Sequence, residues 1–78
     1  MQLEIISPEK QIYKGETTLV QLPGVDGLFE ILHNHAPMIA ALGIGRIKIE
    51  NPDKTLRYFD IHGGVVEILK NKILVLAD

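Results

Sequence analysis

The sequence predicts an all-β fold, a small flattened β-sandwich or barrel of about eight to ten short, mainly antiparallel strands. Three observations support this prediction. Apolar and polar residues alternate over short runs, and the clearest is residues 46–50, with Ile47 and Ile49 on one face. Turn-forming glycine, proline and asparagine separate these runs at close spacing. No stretch has the sustained apolar spacing of a helix.

The first half of the chain is predicted to contain four strands. Residues 2–7 alternate and are stopped by Pro8, which indicates a first strand. Residues 12–22 are β-branched and interrupted by Gly15, which predicts one long strand with a bulge. A turn at residues 23–27 leads into a short strand over residues 28–32. A second turn follows, in which Asn34 suits a positive φ, and then a strand over residues 37–42.

The second half is predicted to form two hairpins. Residues 46–50 and 56–61 flank the turn segment 51–54, whose sequence is Asn-Pro-Asp-Lys. Residues 65–69 and 73–76 flank a turn at residues 70–72. There is no internal repeat or linker, so we expect one domain over residues 1–78.

Composition narrows the class of protein and its partners. The chain has 78 residues and a net charge of −2. It contains no cysteine, so disulfides are excluded and a cytosolic type of domain is indicated. Basic residues are scattered singly and aromatic residues make up 5% of the chain, which argues against nucleic-acid binding. The longest nearly apolar run, residues 36–45, is about half a membrane span.

Several predicted strands are apolar on both faces, although a two-layer sandwich should bury only one face of each strand. The doubly apolar segments are residues 5–6, 19–20, 38–42, 65–66, 68–69 and 73–76. Barrel closure would bury some of these side chains. Because 46% of the residues are hydrophobic, however, closure does not account for all of them. We therefore predict a permanent protein–protein interface on the outer face of one sheet.

Candidate catalytic and metal-binding residues are few. His33, His35 and His62 could ligate zinc or serve a small hydrolase if they converged, but spacing of this kind is unremarkable in turns. The better interpretation is that one histidine hydrogen-bonds to the backbone of its turn while another is exposed to solvent. No glycine-rich segment precedes a helix, so no phosphate-binding loop is predicted.

Lys54 supports an alternative function. It follows Asp53 at the tip of a predicted hairpin, and lipoyl and biotinyl carrier domains present their modified lysine in this way. Thr55 follows the lysine, where those domains use a small residue or methionine. Asp and Lys are also ordinary hairpin residues, so a solvated turn is the plainer interpretation.

Three motifs in register resemble the N-terminal β-sandwich of the epsilon subunit of rotary F-type ATP synthases. The central motif combines Gly27, Ile31, His35, Ala36 and Pro37 with the later Gly43-x-Gly45-x-Ile47. The opening segment is Ser7-Pro8-Glu9-x-x-Ile12-Tyr13-x-Gly15. The closing segment runs from Gly63-Gly64-Val65-Val66 to Val75-Leu76-Ala77-Asp78. The resemblance spans the whole chain.

The resemblance implies a non-catalytic subunit without a cofactor, in the central stalk of a proton-translocating enzyme. Its partners would be the gamma subunit and the c subunits of the membrane rotor ring. It would lie on the cytoplasmic side of the bacterial inner membrane as a peripheral protein, touching the membrane only through the complex. The ring-facing residues would be Asp26, Gly27, Leu28, Phe29, Glu30, Ile31 and Leu32. The gamma-facing residues would be Ser7, His35, Ala36, Pro37, Met38, Val65 and Val66, with Met38 and Val65–Val66 as apolar anchors.

The chain also departs from this family pattern. Glu30 stands where the family often has glycine, and His33-Asn34 stands where it often has Pro-Gly. Asn34 keeps a tolerance for positive φ, so we expect the turn to persist. The sequence ends at Asp78, where many relatives continue into a helical hairpin, so no C-terminal helical domain and no ATP site are predicted.

Overall fold

The computed structural model describes all 78 residues and contains nine β-strands and no helix. The predicted all-β fold and strand number are therefore confirmed. No helix is present that is long and apolar enough to cross a membrane. The strands are β1 (Gln2–Ile6), β2 (Gln11–Glu16), β3 (Leu19–Gly24), β4 (Gly27–Leu32), β5 (Met38–Leu42), β6 (Gly45–Glu50), β7 (Leu56–Ile61), β8 (Gly64–Leu69) and β9 (Lys72–Ala77).

The strands form a curled sheet that folds over itself into two layers. One layer has the order β2-β1-β9-β8-β5, and the other contains β4, β3, β6 and β7. The layers join at one corner, where Gly24 of β3 pairs with Leu42 of β5. All pairings are antiparallel except the one between β1 and β9, which is parallel. The predicted, mainly antiparallel topology is thus confirmed.

The core lies between the two layers and consists of 15 buried hydrophobic residues. Along each strand these residues alternate with side chains of the outer face, as in Leu3 and Ile5 of β1 or Ile47 and Ile49 of β6. The predicted inward orientation of Ile47 and Ile49 is correct, since both are 0% exposed. At the edge formed by β2 and β7, Tyr13 packs against Phe59 with ring centroids 5.3 Å apart.

The predicted single strand over residues 12–22 is wrong, because β2 and β3 belong to different layers. β2 pairs with β1, whereas β3 pairs with β4, β5 and β6. The chain crosses at Thr17, which is 1% exposed. The Thr17 N–H donates to the Met1 carbonyl at 2.8 Å, and the Met1 amine donates to the Thr17 carbonyl at 2.9 Å. These two bonds replace the strand ladder at the crossing.

Four residues other than glycine adopt a left-handed backbone in the turns, and two of them are asparagines, which tolerate it well. Asn34 has φ 60°, as predicted, and Lys54 in the turn between β6 and β7 has φ 75°. In the last hairpin both central residues are left-handed, with φ 50° at Lys70 and 62° at Asn71. Two consecutive positive φ values define a type I′ turn, whose twist matches that of the flanking strands.

Candidate functional site

The outer face of the layer containing β8 and β9 carries a row of apolar side chains that crosses four strands. Ala41 pairs with Val65, Val65 pairs with Leu76, and Leu76 pairs with Ile6. Directly paired residues place their side chains on the same face, so these four residues form one line, here called the outer apolar row. Val65 is 41% exposed and Leu76 is 50% exposed. The predicted outward apolar face is therefore present.

The next row on the same face is mixed in character. Ile39 pairs with Glu67, Glu67 with Leu74, Leu74 with Glu4, and Glu4 with Lys14. Ile39 is 71% exposed and extends the apolar surface at its β5 end. The face is thus apolar toward the Leu42 end of β5 and charged toward the opposite end.

The residues predicted to face the ring divide between a turn and a strand. Asp26 lies in the two-residue turn between β3 and β4, and Gly27 to Leu32 form β4. Leu28 and Leu32 are 67% and 54% exposed on the outer face of their layer. Glu30 is exposed between them, whereas Phe29 is partly buried against the core. Ile31 is 0% exposed, so its side chain belongs to the core and not to a partner surface.

The residues predicted to face gamma do not form one patch. Ser7 follows Ile6 at the Leu42 end of the layer, whereas His35, Ala36 and Pro37 precede Met38 at the opposite end. Val65 lies within the outer apolar row. Met38 is partly buried against the core. Val66 is 0% exposed between the layers, so its side chain cannot serve as the predicted surface anchor.

The histidines take part in turn structure. The His35 Nδ1–H donates to the Ala36 carbonyl at 2.7 Å, which is the predicted bond between a turn histidine and the backbone. The Asn71 side-chain amide donates to His33 Nδ1 at 3.2 Å and accepts from the Asn34 N–H at 3.0 Å. Asn71 therefore ties the β8–β9 turn to the β4–β5 connection. His62 is exposed in a separate loop, and no three metal-ligating side chains are grouped together.

Lys54 lies at the predicted hairpin tip, but its neighbours are arranged as an ordinary polar turn. The Asp53 carboxylate accepts hydrogen bonds from the Thr55 hydroxyl at 2.6 Å and from the Thr55 N–H at 3.0 Å. The hydroxyl bond is the larger cause that lowers the pKa of Asp53 below its ordinary value of 3.8.

We expect replacement of Thr55 by valine to raise the pKa of Asp53 toward 3.8, because the hydroxyl donor is lost while the backbone donor remains. Since the folded pKa is the depressed one, this turn stabilises the fold above the unfolded pKa and loses that contribution as pH falls through the folded value. A carbon-detected NMR titration of Asp53 in both proteins measures the change. An unchanged titration would show that the Thr55 hydroxyl does not bond the carboxylate in solution.

Two exposed apolar residues near the predicted ring-facing turn were not identified from the sequence. Val25 is 63% exposed beside Asp26, and Ile44 is 81% exposed between two glycines. The Val25 N–H donates to the Ala41 carbonyl at 3.1 Å, and the Gly43 N–H donates to the Pro23 carbonyl at 2.8 Å. These bonds hold both turns at the same end of the molecule. The sequence does contain a signal for Ile44, because an isoleucine between two glycines lies in a turn, where no strand buries it.

Comparison with known proteins places this geometry in a family. The family model described as "ATP synthase, Delta/Epsilon chain, beta-sandwich domain" matches residues 1–78. The ATP synthase epsilon chain of Leptospira interrogans is 46% identical over 78 residues, and the alignment covers 100% of this chain and 61% of that protein. The epsilon chain of Chlorobium limicola is 42% identical over 76 residues, with 97% of this chain and 86% of that protein covered.

Solved structures share the fold at low sequence identity. A chain of the Euglena gracilis mitochondrial ATP synthase, solved as an OSCP/F1/c-ring assembly, has a TM-score of 0.90 and 17% identity, with 96% of this chain and 48% of that chain covered. A chain of the Tetrahymena thermophila central stalk/c-ring structure has a TM-score of 0.81 and 15% identity, with 97% and 61% covered.

The sequence relatives are epsilon chains of ATP synthase and not its catalytic chains, in agreement with the predicted non-catalytic subunit. The chain spans 61% of the length of the Leptospira relative and 86% of the Chlorobium relative. The resemblance noted in the sequence is confirmed by a match that covers every residue. The chain therefore belongs to the family of ATP synthase delta and epsilon chains, as the β-sandwich domain of that family.

Proposed function

We propose that this chain is a non-catalytic part of the central stalk of a proton-translocating F-type ATP synthase, docked between the gamma subunit and the rotor ring. In this role it transmits torque and performs no chemistry. It lies on the cytoplasmic side of the bacterial inner membrane as a peripheral protein. Family membership supports the assignment to an ATP synthase, and the surface features support permanent docking.

The observation that carries this proposal is the outer apolar row. An isolated domain gains nothing from exposing Val65 and Leu76 side by side on the outer face of a sheet, whereas a permanent partner would bury them. The two closely packed, hydrogen-bonded layers are also stiff, and a torque-transmitting element must not deform under load. We assign this face to gamma.

The second functional surface is the end that carries the β3–β4 turn, where the Val25 N–H bonds to Ala41 of the outer apolar row. Asp26, Val25 and Ile44 are exposed there, and Leu28 lies next to them on β4. We assign this end to the c subunits of the ring, as the resemblance implies for residues 26–32. Val25 and Ile44 extend that assignment, while Ile31 leaves it because its side chain is buried.

Affinity purification from the organism's own membranes tests the proposal. The tagged chain is recovered after gentle solubilisation, and its bound partners are identified by mass spectrometry. We expect gamma and c subunits to be recovered in stoichiometric amounts. Replacement of Leu76 by glutamate should reduce recovery of gamma at least tenfold, because a charge would have to be buried in the contact.

Leu56 provides a matched control for this substitution. It is 48% exposed, against 50% for Leu76, but it lies on β7 in the other layer. Leu56→Glu should therefore leave recovery of gamma unchanged. Equal losses from both variants would contradict the assignment of the outer apolar row. Recovery of a dehydrogenase or carboxylase complex, with a lipoyl or biotinyl mass on Lys54, would replace the stalk proposal by the carrier alternative.

A further inference from the structure

Strand β4 is an edge strand with a free backbone on one side. It pairs with β3 alone, and Pro23, which has no N–H, lies opposite Leu28. In an antiparallel ladder the hydrogen-bonded pairs alternate, so the bonds to β3 pass through Gly27, Phe29 and Ile31. The N–H and C=O groups of the alternate residues, Leu28, Glu30 and Leu32, therefore point away from β3. No turn or loop hydrogen bond reaches these groups.

Apart from the single charge of Glu30, the β4 edge lacks the devices that usually block strand addition. Its six residues contain neither lysine nor proline, and its register with β3 runs without a bulge. At the edges of β2 and β7, by contrast, the side chains of Tyr13 and Phe59 pack against each other. Arg57 then lies 5.2 Å from the Tyr13 ring centroid and 5.1 Å from that of Phe59. β2 also meets a register shift opposite Ile5 and Ile6.

An apolar hollow lies beside this free edge. It is bounded by residues 24–29 on one side and by residues 38–41 of β5 on the other, and seven of its ten lining residues are hydrophobic. Met38 and Ala40 lie partly buried at the hollow, and Ile39 is 71% exposed at its rim. A strand added to β4 would point every second side chain toward this hollow.

We propose that the β4 edge binds an extended segment of another protein by antiparallel strand addition, with a basic residue opposite Glu30. Glu30 is the charged centre of the exposed face, between Leu28 and Leu32. A second copy of this chain that pairs through the outward-pointing groups of Leu28, Glu30 and Leu32, symmetrically about Glu30, would place Glu30 opposite Glu30, and like charges in direct opposition are destabilising. The segment therefore carries lysine or arginine at its centre and apolar residues on both sides.

This inference goes beyond the proposed stalk role and does not depend on it. The stalk proposal concerns the outer apolar row, the turn end of the molecule and the exposed side chains of β4, and its test measures the recovery of partners from membranes. Strand addition concerns the backbone edge of β4, and its test uses the isolated 78-residue chain. Either proposal can fail while the other stands.

The test uses a synthetic seven-residue peptide with arginine at the centre, one valine on each side of it and two threonines at each end. Titration into the ¹⁵N-labelled chain, followed by NMR, should shift the amides of Leu28, Glu30 and Leu32 and leave those of β2 and β7 unchanged. A matched peptide with glutamate at the centre should bind about three- to fivefold more weakly. N-methylation of the peptide amides that face β4 should abolish binding, whereas N-methylation of the alternate amides should not.

Glu30→Lys supplies the reciprocal test, because Glu30 is exposed and the substitution leaves the core unchanged. The variant should prefer the glutamate peptide to the arginine peptide. Shifts confined to β2 or β7, or equal binding of the N-methylated peptides, would overturn the proposal. Concentration-dependent protection of the β4 amides without any peptide would assign this edge to a second copy instead.

Discussion

Replacement of Gly64 by alanine is expected to destabilise the fold by more than about 3 kcal/mol. This figure is the sum of two costs, the strain of alanine at an unfavourable φ and the overpacking caused by the added methyl group. Gly64 has φ +141° at the start of β8, where an added Cβ would overlap the Leu76 carbonyl oxygen and lie 3.0 Å from the Ala77 Cα. β8 cannot shift to relieve this contact, because Gly64 pairs with Leu42 on one side and with Ala77 on the other. A domain of this size has about 5 kcal/mol of stability to lose.

Gly27 provides the control for this prediction. Its φ is also positive, at +125°, but no atom lies within 4 Å of an added Cβ. Gly27→Ala should therefore cost only the backbone strain, about 1 to 2 kcal/mol. Urea unfolding followed by circular dichroism compares the three proteins. Equal losses from the two substitutions would show that φ, and not the contact with β9, determines the cost at Gly64.

Truncation of Ile31 to alanine is expected to cost about 2 to 5 kcal/mol, because it leaves a cavity between the layers. Ile31 is 0% exposed and pairs with Val20, which is also 0% exposed. The loss should appear as a lower urea midpoint in the isolated chain. Any loss of partner binding should then follow the unfolded fraction, and not a missing contact with the partner.

Leu32 tests the same assignment from the opposite side. It neighbours Ile31 in β4 but is 54% exposed. Leu32→Ala should change the stability by no more than about 0.5 kcal/mol, as is usual for surface positions. If Leu32→Ala were the more destabilising of the two substitutions, the register of β4 against β3 would be wrong, since a shift of one residue exchanges the two faces.

Most strands could be predicted because turn-forming residues lie at their ends. Asn34 and Asn71 adopt the left-handed φ values that asparagine tolerates, and Pro52, whose φ is fixed by its ring, lies in a hairpin tip. The division of residues 11–24 into two strands was missed because it is a tertiary effect. A single β-branched run is locally compatible with one strand, and only the bonds between Thr17 and Met1 direct it from one layer to the other.

The surface residues were harder to predict than the strands. Where a strand is apolar on both faces, as at Val65–Val66, the sequence does not show which residue points outward. The pairing of Val65 with Ala41 and Leu76 decides that question, and it depends on residues far apart in the chain. Ile31 is predicted to face the ring because the resemblance implies that role for residues 26–32 as a block, which does not separate the two faces of β4. Its neighbours Leu28 and Leu32 are equally apolar, and only the register with β3 separates them.

The parallel pairing of β1 with β9 has a consequence for synthesis of the protein. Residues 2–6 are held by residues 72–76, so β1 is completed on one side only after β9 has been made. A contact of this sequence separation closes a long loop, and folds dominated by such contacts complete folding in milliseconds to seconds. On the ribosome, β1 has only the β2 side of its ladder available until β9 leaves the exit tunnel. Until then the β9 side of the β1 backbone stays unpaired, and an unpaired strand edge is a site at which other chains or chaperones can bind.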